Sequence, residues 1–141
     1  FEVEGVSNLI AKIGTGKTRI AFAGHTDVVP APYPENWSAE PFAVTEKDNM
    51  IIGRGIADMK GGIAVMLHAL MAFEESSAAS SLGYDVLINS DEETGSLASA
   101  DLIAELAAGK LAALTYEPAA LPDCGRWRRS DELSDWYLWP R

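Results

Sequence analysis

The chain has 141 residues, 48% of them hydrophobic and 23% charged, with a formal net charge of −10. That length gives about one domain with a buried core, and the acidity excludes a nucleic-acid partner, which needs clustered Lys and Arg. The single cysteine, Cys124, excludes a disulfide framework and a multi-cysteine zinc cluster, and fits a reducing, cytoplasmic compartment.

In chain order, Arg19 to Ala23 (RIAFA), ending at Gly24, reads as a strand. Ala31 to Phe42, with three prolines, reads as a loop. Gly61 to Phe73 (GGIAVMLHALMAF) predicts a helix apolar nearly all round, and therefore covered on most sides. Ser76 to Ser81 is a small polar linker into a second strand, Asp85 to Asn89 (DVLIN). Ser96 is the expected N-cap of a helix over Leu97 to Ala108, with Gly109 its C-cap. Leu111 to Tyr116 (LAALTY) reads as a third strand. Continuous apolar character predicts strands buried on both faces, as in a parallel sheet, and their alternation with helices predicts an α/β domain. No apolar run reaches the roughly 20 residues that span a bilayer, so no membrane partner is expected. Gly125 to Arg141 differs in kind: it holds three of the four tryptophans and four of the eleven basic residues, with no period. The expected division is 1–124 as a catalytic-domain part and 125–141 as an atypical tail, out-of-frame or disordered.

Acidic and imidazole groups gather at the ends of these elements. His25 and Asp27 follow the first strand; residues two apart on extended backbone share a side, so Asp27 can fix the His25 tautomer behind a metal, or simply hydrogen-bond it. Asp58 precedes the apolar helix between glycines, either as a partner for the helix dipole or as a ligand. Asp91-Glu92-Glu93 follows the second strand, as a solvated turn or as a cation site. Glu117 holds the equivalent place after the third strand. Ligand sites of open α/β sheets lie outside such strand ends. Imidazole mixed with carboxylate suits divalent cations, zinc foremost. Two features are set aside. Gly14-Thr15-Gly16-Lys17-Thr18 looks like the end of a phosphate loop, but Ala11 stands where glycine is required and a strand follows instead of a helix. His68, inside the apolar helix, is expected to be packed or hydrogen-bonded and not a ligand.

Five ordered motifs, Gly24-His25-Thr26-Asp27-Val28-Val29-Pro30, Asn36-Trp37…Pro41-Phe42, Gly53-Arg54-Gly55…Asp58-Met59-Lys60-Gly61-Gly62, Ser90-Asp91-Glu92-Glu93 and Tyr116-Glu117-Pro118, carry a resemblance from about Val6 to Pro122. The chain resembles the co-catalytic zinc hydrolases that include succinyl-diaminopimelate desuccinylase, acetylornithine deacetylase, aminoacylase and glutamate carboxypeptidase. The resemblance implies a partial zinc-exopeptidase-like catalytic domain, its central sheet mostly parallel and flanked by helices. It implies that His25 and Glu117 bind one zinc, Asp58 bridges two, and Glu93 binds the second, with Co2+ or Mn2+ as substitutes. Asp27 would clamp His25, and Glu92 would be the general base acting on a water held between the metals. The implied reaction is hydrolysis of an amide in an N-acyl amino acid or C-terminal-carboxylate peptide, a small-molecule substrate. The family's lid domain, through which full-length members form homodimers, and a further histidine ligand have no counterpart in this sequence. The chain is therefore expected to be a truncated member. The alternative is an inactive fragment that at most binds a metal ion. Ile20 to Pro30 resembles the desuccinylase branch and Val86 to Ile103 the glutamate carboxypeptidase branch, which leaves the substrate open.

Overall fold

The computed structural model of the chain describes residues 2–3, 5–76 and 81–118. The tail 125–141 and most of the linker 76–81 lie outside them. Two short strands, β1 (Glu2–Val3) and β2 (Val6–Ser7), pair antiparallel. Next come β3 (Leu9–Ile13) and β4 (Thr18–His25), then a hairpin of β5 (Thr45–Lys47) and β6 (Met50–Ile52). Helix α1 (Gly61–Glu74), strand β7 (Leu82–Asn89), helix α2 (Ala100–Ala107) and strand β8 (Ala112–Thr115) complete the order. The turn of the β5–β6 hairpin is Asp48-Asn49, both at positive φ, the backbone that a two-residue hairpin of this twist demands.

The central sheet runs β3-β7-β4-β8. The β4–β7 and β4–β8 pairs are parallel and β3–β7 is antiparallel, so the sheet is mostly parallel, as expected. The three anticipated strands are these parallel ones. Strand β7 is buried on both faces over most of its length, which explains its mainly apolar sequence, with Asp85 the charged exception. Strand β3 escapes sequence reading because Leu-Ile-Ala-Lys-Ile is short, half exposed and interrupted by a lysine. The phosphate-loop mimic is the turn from β3 into β4, where Gly14 has φ +72 and the chain continues as a strand.

One apolar core lies between α1 and the sheet. Ile63, Met66 and Leu70 of α1 meet Phe22, Tyr84 and Val86, with Met59 closing the end. The Tyr84 ring takes Phe22 and Phe73 edge to face, at centroid separations of 6.0 and 5.4 Å. The expectation that α1 is covered on most sides is corrected: Val65, Leu67 and Met71 are exposed, because among the described residues the sheet covers a single face. The stretch Ile56–Glu74 has the length and apolar composition of a membrane span. Its backbone is non-helical at Asp58 and Met59, however, and its inner face packs on the sheet as a core helix does. His68 is exposed, its Nδ1 lying 2.8 Å from the Ala64 carbonyl, in keeping with the hydrogen-bonded role expected.

Helix α2 begins four residues past the expected N-cap. Ser96 stands in the left-handed region, φ +53, and the amides of Ala98 and Ser99 bond to the Asp91 carboxylate, so 96–99 is a turn. Gly109, at φ +71, ends the helix as anticipated. A second interior feature is ionic. Asp85 of β7, 2% exposed, meets Arg19 of β4 at 2.5 Å and Lys110 at 2.8 Å. Burial alone would raise the Asp85 pKa, but hydrogen bonds and charge from Arg19 and Lys110 outweigh it and hold the carboxyl below its ordinary range.

Candidate metal centre

Parallel pairing brings three strand ends level. His25 is the last residue of β4 and stands opposite Asn89, the last of β7, and the Thr26 amide then donates to the Asn89 carbonyl at 2.9 Å. Glu92 opens a 3-10 turn, Glu92–Thr94, just beyond β7, and Glu117 lies just beyond β8. Asp58 sits on the irregular turn Ile56–Lys60 that leads into α1. Glycines allow the close approach. A Cβ on Gly24 would lie 2.9 Å from Ile63 Cγ1, and one on Gly62 would lie 2.5 Å from the Tyr116 carbonyl oxygen. The Lys60 ammonium donates to the Thr26 carbonyl at 2.5 Å and ties the Asp58 turn to the His25 loop.

His25 is 1% exposed. Its Nδ1 lies 3.0 Å from the Asp27 carbonyl oxygen, which assigns the proton there and turns Nε2 toward the carboxylates. Asp58 Oδ1 is 3.1 Å from Nε2, Glu117 Oε1 3.3 Å, and Glu92 Oε2 3.8 Å. One ligand atom each from His25, Asp58 and Glu117 falls within 4.8 Å of the others. One imidazole nitrogen and two carboxylate oxygens form the donor set of a divalent-cation site, so the residues fit the ion that the sequence resemblance implies.

Asp27 has a second task that the sequence did not disclose. Its carboxylate Oδ1 lies 3.3 Å from His25 Nδ1, but it also accepts the Glu92 amide at 3.2 Å, while Oδ2 accepts the Glu93 amide at 2.9 Å. It therefore holds the imidazole and the acidic turn together. Of the anticipated residues, the geometry joins His25, Asp58 and Glu117, puts Glu92 at their margin, and leaves Glu93 outside the trio.

The crowding of carboxylates sets the electrostatics. Burial and the neighbouring Asp58 and Glu92 raise the Glu117 pKa to about 7, against the opposing pull of His25. Burial also raises Glu92; His25 opposes this, and Glu93, Asp27 and Asp58 add to it. Burial lowers His25, but Glu117, Asp58, Glu92 and the Asp27 carbonyl together outweigh it and leave the imidazole raised. Beside Asp58 opens a cleft of about 330 Å³, lined by Trp37, Ile52, Arg54 and Ile56, with the Arg54 guanidinium 5.0 Å over the Trp37 ring.

Residues 21–126 match the family described as Peptidase family M20/M25/M40. Over 93 residues the chain is 45% identical to succinyl-diaminopimelate desuccinylase of Janthinobacterium sp. (strain Marseille), covering 66% of this chain and 25% of that protein. Over 91 residues it is 47% identical to succinyl-diaminopimelate desuccinylase 1 of Alteromonas mediterranea, covering 64% and 23%. The chain thus spans about a quarter of the length of the curated relatives it matches. Among solved structures, human carnosine dipeptidase 1 superposes with a TM-score of 0.64 at 27% identity, over 77% of this chain and 24% of that one. An M20 family metallo-carboxypeptidase of Sulfolobus solfataricus superposes with a TM-score of 0.65 at 23% identity, over 82% and 28%, a likeness of fold.

Proposed function

We propose, from the premise that this chain belongs to the M20/M25/M40 peptidase family of metal-dependent hydrolases, that it is the metal-holding part of an amidase acting on an N-acyl amino acid or a carboxylate-ended peptide. The observation that carries the reading is the meeting of His25, Asp58 and Glu117, from three separate segments, within 4.8 Å. A zinc ion held by these groups would polarise the scissile carbonyl and bring a water toward ionisation at neutral pH. Glu93, on the turn that Asp27 holds, is the fourth ligand of the proposal, serving a second ion.

Glu92 is the general base. Its carboxylate is half exposed and reaches within 3.8 Å of His25, close to the metal ligands without joining their trio. The upward push on its pKa moves it toward the working range of a base that takes a proton from water and returns it to the departing amine. Asp27 fixes the His25 ring and the Glu92 backbone together, so the base keeps its place as a proton moves. The cleft beside Asp58 offers an apolar wall and the Arg54 cation for the substrate's remaining groups. A cytoplasmic location and the homodimeric assembly of full-length relatives belong to the same proposal.

A second reading, one bound ion without turnover, is favoured by Glu93 standing outside the trio. Zinc titration by calorimetry, together with hydrolysis of a panel of acylated amino acids, separates the two. Zinc uptake lost in His25→Ala, with turnover abolished by Glu92→Gln, supports the hydrolase. Uptake without any turnover supports the second reading, and no uptake at all overturns both.

A further inference from the structure

The acidic run that carries Glu92 and Glu93 begins with a third carboxylate, Asp91. Asp91 is 6% exposed, and no ion pair among the described residues includes it. A carboxylate withdrawn from water is costly unless hydrogen bonds replace its hydration. Here neutral donors do so. Oδ2 accepts the amides of Ala98 at 2.9 Å and Ser99 at 3.2 Å. Oδ1 lies 2.5 Å from the Ser99 hydroxyl and 3.3 Å from the Asn89 side-chain amide. The Asp91 carbonyl adds the Ser96 amide at 2.8 Å and the Thr94 hydroxyl at 3.0 Å.

The network extends to the far edge of the sheet. Ser99 Oγ is 2.9 Å from Asn8 Oδ1, just before β3, and Asn89 Nδ2 is 3.4 Å from Ser96 Oγ. Asn8, Asn89, Asp91, Ser96 and Ser99 are all buried. They hold a turn whose Gly95 and Ser96 both lie at positive φ, and a serine there persists only where surrounding bonds fix it. Directly after Asp91, the amides of Glu92 and Glu93 are taken by the Asp27 carboxylate. The backbone carrying the base and the fourth ligand is therefore gripped by one carboxylate on each side.

We propose that Asp91 is a positioning residue: through its buried bonds to Ala98, Ser99 and Asn89 it sets where Glu92 and Glu93 stand against His25, and zinc affinity depends on it. The inference rests on the metal-hydrolase reading above. The Asp91 side chain bonds to Asn89, Ala98 and Ser99 and is not one of the groups that converge with His25. Buried polar networks of this kind specify a single geometry, and one altered member loosens the whole.

The test uses the 141-residue chain, Zn2+ as the only ligand, and two readouts for Asp91→Asn. In the metal-free chain, amide hydrogen exchange should quicken at Glu92, Glu93, Ala98 and Ser99 by about tenfold, with the β4 and β7 amides unchanged. Zinc affinity should fall by about tenfold, in the manner of groups that orient ligands from behind, with the melting temperature little altered. Ser99→Ala, which removes one donor, should give the same pattern more weakly, and it decides the matter if Asp91→Asn unfolds. Unchanged exchange at Glu92 and Glu93, or weakened zinc binding only in step with global unfolding, overturns the proposal. If the wild-type chain and His25→Ala take up zinc equally, the metal-centre reading fails instead, and exchange alone judges the grip of Asp91.

Discussion

Gly62 and Tyr116 stand so close that a single added carbon on the glycine would lie 2.5 Å from the tyrosine's carbonyl oxygen. The contact sets the start of α1 against the end of β8, and Glu117 is the next residue. Gly62→Ala must push Tyr116 away and take Glu117 with it. Overpacking of this kind costs about 1–3 kcal/mol in stability. Zinc affinity should fall by at least about tenfold, measured by calorimetric titration beside the parent chain.

Replacing Asp27 removes a support at once from two segments that carry proposed metal ligands. Asp27→Ala leaves the amides of Glu92 and Glu93 without their acceptor, and zinc affinity should drop by about 10- to 100-fold. Asp27→Asn keeps one side-chain oxygen able to accept an amide, so its loss should be smaller. Equal losses in the two variants would show that the negative charge, and not the shape of the acceptor, is what matters.

Asp85 gives a pH dependence remote from the candidate metal centre. Its folded pKa lies below the unfolded value, because Arg19 and Lys110 outweigh the effect of burial. Its stabilisation is therefore complete above the unfolded value, about 4, and is lost as pH falls through that value toward the folded one. Asp85→Asn should cost about 3 kcal/mol at neutral pH, since it strands two partly buried cations. Urea unfolding at pH 7 and pH 3 should show the gap between parent and variant narrowing in acid.

Met66 is fully buried at the centre of the apolar cluster between α1 and the sheet. Met66→Ala should cost about 2–5 kcal/mol, through lost burial and the cavity left behind. Met71→Ala, on the exposed face of the same helix, should cost little. Chemical denaturation of the two variants checks whether that helix stands on a single packed face.

Much of this was legible in the sequence because the informative features are local. Strands β4, β7 and β8 announce themselves as mainly apolar runs, since each is paired in parallel and β4 and β7 lie inside the sheet. His25 ends β4, Glu117 lies just beyond β8 and Asp58 sits on the turn into α1, and placement at strand ends is a topological rule that needs no coordinates. Strand β3 was hidden because its partner is 70-odd residues away in β7, and only that pairing makes so short a segment a strand. Asp91 looked like one more member of a charged run, because nothing in the sequence distinguishes the buried carboxylate from the two beside it. Its donors on Ala98 and Ser99 are backbone groups, and backbone groups have no signature. The late start of α2 is equally invisible: Ser96 stands at φ +53 and its carbonyl accepts the Ser99 amide at 3.1 Å, closing a turn where a helix beginning at Leu97 would need Ser96 as its cap.

The pairing of β4 with β7 matches His25 to Asn89 after a run of partners beginning at Thr18 and Leu82. Adding or deleting one residue within either strand would shift that alignment by a single step, sending Phe22 out of the hydrophobic layer and His25 away from its carboxylates together. Length within these two strands is thus subject to a double constraint, so tolerated insertions should be confined to loops such as that between β4 and β5, where no strand register is set.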